Sequence, residues 1–279
     1  LLEENKTVHS IYTTTRTLSV GPQLAFLKDH YIPLGVFPNA HRLATYETLT
    51  LMGKFRQDIL NRRKKVTEVP EALGPILKTL EKHVKSKHSI PRLLKMAKPH
   101  PSGEHLEFDL IRAPKYVQRK FFETFKDPFD RFYPFHLPNF LVSARNGEVD
   151  IYGYLGESDG YCTLVCSSQP IFTLAGRLRP LMQQLHDFGV SYLEILMATD
   201  NILSLETLLD VNFLPSAIYP GMLEIEGEFQ DLVLMSRSLE PLNFRGMHIE
   251  KSFMPYINQY VELWKQKHLE VLQVFNEKQ

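Results

Sequence analysis

Phe140-Leu-Val-Ser-Ala144-Arg-Asn146-Gly147-Glu-Val149-Asp-Ile-Tyr-Gly-Tyr-Leu155, with Tyr161-Cys-Thr-Leu-Val-Cys166 just beyond it, is the stretch whose reading decides the fold. Phe140 to Ala144 reads as a strand, Asn146-Gly147 is a hairpin turn signal, and Val149 to Leu155 is the returning strand. Tyr161 to Cys166 is mostly apolar and is expected to lie centrally in the sheet. Downstream, a helix is predicted from about Leu174 to Phe188 with Gly189 as its stop, then a strand from Tyr192 to Ala198. A short helix from about Ile202 to Val211 leads into two strands, Ser216 to Ile225 and Asp231 to Ser238, joined by a turn around Gly227. Upstream, Glu107 to Arg112 alternates like a half-buried strand, and Ala113-Pro114 opens a helical apolar face in KYVQRKFFETF. The order is strand, helix, three strands, helix, strand, helix, two strands, which predicts an α/β domain built on a mixed sheet flanked by helices.

Composition narrows the function classes. Lys+Arg and Asp+Glu both number 32 among 279 residues, so the formal net charge is zero and a nucleic-acid partner is not expected. No apolar run reaches the ~18 residues a membrane span needs, and LLEENKTVHS has no signal-peptide pattern. A cytoplasmic protein with no membrane partner is the default expectation. The chain opens on Leu1 rather than Met, which reads as a fragment or a processed product. Cys162 and Cys166 are the two cysteines; on a regular strand they face the same side, and two buried thiols are expected rather than a disulfide or a zinc site. None of the eleven histidines has ligand spacing such as HExxH, so no metal is predicted.

The element order resembles the GNAT N-acetyltransferase superfamily, in which the fourth and fifth strands splay apart and admit acetyl-CoA. The family's cofactor loop has the form Pro-x-Tyr/Phe, then Arg/Gln-x-x-Gly-x-Gly/Ala, then a helix whose N-terminal N–H groups hold the pyrophosphate. Here the segment is Pro170-Ile-Phe172-Thr173-Leu174-Ala175-Gly176-Arg177-Leu178. Pro170, Phe172 and Gly176 match, whereas Thr173 stands for Arg/Gln, Leu174 for a frequent Gly and Leu178 for Gly or Ala. The resemblance implies that Thr173, Leu174, Ala175, Gly176 and Arg177 hold acetyl-CoA. It places Val165, Cys166 and Ser167 where a backbone N–H polarises the thioester carbonyl. Asn201 and Phe213 match the helix after the fifth strand, and Asn201 is carried over as a cofactor contact. Leu208 stands where a thiolate-protonating Tyr is common, which leaves water or another residue such as Tyr219 as the candidate acid. Glu157 and Asp159, in LGESDGYC, are the candidate bases, with a solvated turn as their plain structural alternative.

Residues 1–56 echo the end of this domain. Gly35-Val-Phe-Pro-Asn-Ala40 compares with Asn212-Phe-Leu-Pro-Ser-Ala217, Thr48-Leu-Thr-Leu-Met52 with Asp231-Leu-Val-Leu-Met235, and Leu18-Ser19 with Leu203-Ser204, at offsets of about 177, 183 and 185 residues. The expected organisation is therefore a partial second copy of the GNAT lobe at 1–56 that begins near its fifth strand (Ile11 to Thr15) and contains no cofactor loop; either its front half lies outside this sequence or the remnant docks as an accessory sheet on the second lobe. The favoured explanation is a front half lying outside this sequence. A helical bridge at 57–104, the complete lobe at 105–240 and a helical tail at 241–279 follow. The tail's apolar side, with Trp264, is expected to pack on the domain; a homodimer contact through the same helix is the alternative.

Arg62-Arg63-Lys64-Lys65 reads as a solvated helix end. His83, His88, His100 and His105 are expected to be exposed, while His136 belongs to a loop on the acceptor side of the cleft. Phe121, Phe122, Phe125, Phe129, Phe132, Tyr133 and Phe135 read as core and lid, or as an apolar acceptor pocket. The activity implied is acetyl transfer from acetyl-CoA to a small-molecule amine; the rival reading is a non-catalytic ligand-binding or assembly module.

Overall fold

A computed structural model describes residues 7–42, 45–85, 89–95, 106–127, 130 and 133–273. His88, His100, His105, Phe129 and Phe132 lie outside the described residues. The chain begins with β1 (Ser10–Arg16), α1 (Gly21–Lys28), β2 (Ile32–Arg42) and β3 (Tyr46–Phe55). Next come α2 (Gln57–Asn61), β4 (Glu68–Pro70), α3 (Gly74–Val84) and β5 (Arg92–Leu94). The remainder is β6 (Phe108–Ile111), α4 (Pro114–Thr124), β7 (Phe140–Ala144), β8 (Asp150–Gly156), β9 (Tyr161–Ser167) and α5 (Leu178–Asp187). It closes with β10 (Tyr192–Ala198), α6 (Ile202–Asp210), β11 (Leu214–Ile225), β12 (Glu228–Ser238) and α7 (Met254–Gln273).

Ten strands form one mixed sheet in the order β1-β3-β2-β11-β12-β10-β9-β8-β7-β6, with β9 and β10 as its parallel pair. Helices flank it, the longer ones through apolar stripes. On α5, Leu178, Leu181, Met182 and Leu185 are buried at helical spacing, and on α4 Val117 and Phe121 are. The predicted helix start near Leu174 is corrected to Leu178. Residues Ile171–Leu174 make a 3-10 turn, and Gly176 adopts φ 74°, a left-handed backbone that interrupts the helix before it begins. The stretch 57–104 is only partly helical, since β4 and β5 pair in parallel within it.

The segment β1-α1-β2-β3 has the same element order as β10-α6-β11-β12, and the two meet at the centre of the sheet where Gly35 of β2 pairs with Ala217 of β11. His30 and Asn212 both take left-handed backbone (φ 64° and 61°) two residues before β2 and β11, and so do Asn39 and Gly221 within them (62° and 61°). Both strands also slip register at matching places, between Pro33 and Gly35 and between Pro215 and Ala217. The backbone thus sets Gly35 opposite its own counterpart, Ala217. That corrects the sequence comparison, which had matched Gly35 with Asn212; apolar strands of similar composition can be slid past one another without losing similarity. A Cβ on Gly35 would lie 2.3 Å from the Ala217 Cα, so only glycine permits this close approach.

α3 and α7 lie against this junction. Ile76, Leu77 and Leu80 of α3 are buried, as are Tyr256, Ile257 and Tyr260 of α7. Tyr256 donates to the Pro33 carbonyl (2.9 Å) and Gln259 to that of Pro215 (2.8 Å), so α7 ties down equivalent prolines of both segments. Trp264 is only half-buried and stacks on His268; the tyrosines one and two turns earlier make the tail's apolar contact. His83, expected exposed, is half-buried and stacks on Tyr256. Among the described residues no helix is long and apolar enough to cross a membrane.

In the Arg62–Lys65 cluster, Arg62, Lys64 and Lys65 are exposed as expected, but Arg63 is not. Arg63 is buried, donating to Asp231 (2.8 Å) and to both oxygens of Glu81 (2.9 and 3.0 Å), because a guanidinium carried inside the fold needs its charge matched. Lys64 pairs with Asp200 (2.7 Å), and the Arg62 guanidinium lies over the Phe229 ring.

Candidate functional site

β9 and β10 run together for four residue pairs, from Tyr161↔Tyr192 to Leu164↔Ile195. Then β9 bulges: its pairing with β8 slips by one residue at Val165, between Gly153↔Leu164 and Tyr152↔Cys166. A bulge bends the strand that carries it. Beyond it β10 continues along β12 as far as Ala198↔Leu232, while β9 stays with β8, so the edges at Val165–Ser167 and Leu196–Ala198 diverge into a wedge. The element order and this splay agree with what the sequence resemblance implies.

The bulge also redirects side chains. Cys162 belongs to the main core beneath α5 and α6, whereas Cys166 packs with Val165, Leu196 and the α4 aromatics, so the expectation that the two thiols share a face is corrected. Burial raises both thiols, Cys166 to about 12, which leaves them protonated packing groups.

No family model matches the chain, and no curated protein matches it. Solved structures do. The ribosomal-protein-S18-alanine N-acetyltransferase of Escherichia coli is similar at 11% identity over 50% of this chain and 98% of that one, with TM-score 0.36. The ribosomal-protein-S5-alanine acetyltransferase of Vibrio fischeri is similar at 12% identity over 50% and 97%, with TM-score 0.35. An acetyl transferase of Salmonella typhimurium that modifies the N-terminal serine of 50S ribosomal subunit protein L7/L12 shows 11% identity over 50% and 98%, with TM-score 0.35.

The loop after β9 leads from the wedge to the N-terminus of α5. Leu174 and Leu178 are buried in the core, so these bulky replacements point away from the loop's outer surface. The turn engages three of its own donors: Thr173 N–H to the Pro170 carbonyl, Ala175 to Phe172 and Arg177 to Leu174. The N–H groups of Gly176, Leu178 and Arg179 stand outside these bonds at the helix start, where an anion is favoured. Arg177 pairs with Glu148 (3.2 Å), and both line a cavity of about 430 Å³ between this loop and the β7–β8 hairpin. Asn201 caps α6, accepting from the Ser204 N–H (3.4 Å), and Leu208 is buried in the core.

Sequence reasoning missed Glu194. It sits on β10 one residue short of the last β9–β10 pair, on the face shared with Leu196 and the wedge. Its side chain is buried and accepts hydrogen bonds from Tyr133 (3.1 Å), Tyr192 (3.0 Å) and Tyr161, while Thr163 donates to Tyr133 (2.8 Å). Burial pushes the carboxyl up to about 7, against the opposing pull of the three hydroxyls. The detectable signal was an acid among apolar residues in Tyr192-Leu-Glu-Ile-Leu-Met-Ala198: a charge within a central strand needs partners, and tyrosines supply them.

Glu194 opens into a pocket of about 540 Å³. One wall comes from β1, β2 and β3 through Tyr12, Thr13, Thr14, Phe37, Ala40, Leu49 and Leu51, and the other from Phe135, His136, Tyr161 and Tyr219. His136, as expected, lies on this side of the cleft; it stacks on Tyr154 (4.1 Å), and burial lowers its basicity. Tyr219 lies level with Leu232 and Ala198 across the sheet and packs against Tyr12, with burial keeping its hydroxyl protonated. Asp159 and Glu157 fall elsewhere, in the β8–β9 turn. That turn is separated from the wedge by the length of β9, roughly 20 Å at strand rise. Asp159 pairs with His41 (2.9 Å) and Glu157 with Arg112 (3.1 Å).

The raised pKa of Glu194 has a stability consequence. The native state holds its proton more tightly than the unfolded chain, whose carboxyl keeps its ordinary value of 4.5. This contribution is full below about 4.5, declines at about 1.4 kcal/mol per pH unit and is lost above about 7. Midpoints from thermal unfolding across that window should fall more steeply for the parent chain than for Glu194→Gln; parallel profiles would contradict the assignment.

Proposed function

We propose that this chain is an acetyl-CoA-dependent N-acetyltransferase that acts on a small amine by direct transfer. The observation that carries the proposal is a buried carboxyl poised at about 7, two residues along β10 from Leu196 at the mouth of the wedge. A general base works best with a pKa near the working pH, and this one faces a pocket large enough for an acceptor. The residues fit acetyl-CoA: the wedge edges offer backbone groups outside a strand ladder, and the loop offers a helix start with the leucines turned inward.

Bound acetyl-CoA supplies an activated thioester carbonyl and a thiolate leaving group. Glu194 takes a proton from the acceptor ammonium and leaves a neutral amine in the pocket. The backbone N–H groups along Val165–Ser167 would steady negative charge on the thioester carbonyl oxygen. Tyr219, protonated and on the pocket wall, would donate to the departing sulfur and recover its proton from the acylated nitrogen, which sheds one on becoming an amide. Asp159 and Glu157 then serve as the paired, structural carboxylates of a turn. The matched backbone of β1–β3 and β10–β12 supports reading residues 1–56 as part of a second lobe of the same type, here spent on building the acceptor wall.

Thermal unfolding with and without millimolar acetyl-CoA tests the cofactor site. Ligand at about a hundred times its dissociation constant adds about 2.7 kcal/mol, which raises the midpoint by several degrees. That shift should disappear in Gly176→Glu. A folded chain that shows no shift would overturn the proposal in favour of a non-catalytic module.

A further inference from the structure

We propose that the pocket between the two halves of the sheet selects an organic cation: a primary amine on an apolar, aromatic-sized body that carries no carboxylate. This deepens the acetyltransferase reading and rests on it for the choice of an amine. The selectivity itself follows from the pocket's chemistry. Its charged group is the Glu194 carboxylate, and no lysine or arginine lines it among the described residues. The nearby guanidinium of Arg16 is already paired with Glu47 (2.8 Å), outside the lining.

An ammonium directed at Glu194 would replace water around a buried acid with its own opposite charge, with Tyr161 holding the carboxylate from beside it. An amino acid would bring a second charge of the wrong sign into the same enclosure. With no cation on the wall to receive it, that anion would be desolvated and unpaired. The body of the ligand meets a different surface. Phe37, Leu49, Leu51 and Phe135 face the space, and the ring of His136, kept neutral by burial, adds a flat apolar side. A methylamine-sized ligand would leave these rings wet, whereas a phenylalkyl group would cover them.

Calorimetric titration of the full chain without acetyl-CoA, at about pH 8 so that Glu194 is ionised, separates this proposal from the activity itself. The probes are 2-phenylethylamine, L-phenylalanine amide, L-phenylalanine and methylamine. The first two should bind. L-Phenylalanine, which differs from its amide by the carboxylate, should bind on the order of a hundredfold more weakly, and methylamine at least tenfold more weakly than 2-phenylethylamine. Leu49→Arg, which adds a cation to the far wall, should narrow the gap between L-phenylalanine and its amide. Equal binding of the acid and the amide, equal binding of methylamine and 2-phenylethylamine, or no binding of any probe would each overturn the proposal. Loss of the acetyl-CoA shift alone would leave these affinities standing, so the two failures are distinguishable.

Discussion

Glu194→Gln should lower the rate of acetyl transfer on the order of 10²- to 10³-fold, with acetyl-CoA binding and the native fold retained. The substitution is nearly isosteric, which makes it a test of chemistry rather than packing. Glu194 Oε1 accepts from Tyr133 and Tyr161, and a glutamine oxygen can do the same. Tyr192, which donates to Oε2 (3.0 Å), would instead meet an amide N–H₂ and must turn its hydroxyl to accept. What glutamine cannot do is take a proton. The pH dependence makes the claim sharper: kcat/KM of the parent should rise as Glu194 ionises near 7, and that limb should be missing from the variant. A variant within threefold of the parent at every pH would remove Glu194 from the reaction.

Arg63→Ala should cost about 3–5 kcal/mol of stability. Arg63 holds together three places that the chain visits far apart: the end of α2, Glu81 on α3 and Asp231 on β12. Asp231 is buried and also accepts the Gly221 N–H (2.8 Å), so removing the guanidinium strands a buried carboxylate without its cation. The thermal midpoint should fall by roughly 10 °C, at ~2–4 °C per kcal/mol for a chain of this size class. Replacing all three residues together, with Arg63→Met, Glu81→Gln and Asp231→Asn, should restore most of the loss, because the penalty lies in breaking the group rather than lacking it. A midpoint unchanged in Arg63→Ala would show that the cluster is solvated after all.

The parts of this molecule that could be read from sequence are those set by neighbours along the chain. Asn146-Gly147 announced the β7–β8 hairpin, Gly189 the end of α5, and strand alternation placed β6 to β12 in their order. Arg63 looked solvated because its cluster is basic, and only the fold brings Glu81 and Asp231 beside it. The bulge at Val165 has no local marker in a run of apolar residues, yet it creates the wedge and sends Cys166 to the other face from Cys162. The family pattern directed attention to Glu157 and Asp159, the acids nearest the start of β9 in sequence. The acid that reaches the pocket stands one strand over, and its tyrosine partners come from three separate segments.

The meeting of Gly35 with Ala217 also limits how the two halves of the sheet can drift in sequence. They pair at corresponding positions, so a chain made of two identical halves would place the same residue on both sides of one contact. Alanine on both sides is forbidden, since a methyl at 35 would sit 2.3 Å from the opposite Cα. Holding the two positions on one continuous chain lets them differ, and the pair is free to keep one side chain instead of none. A hybrid in which a second copy of β10–β12 replaced β1–β3 would lose that freedom and could not close its sheet at this point.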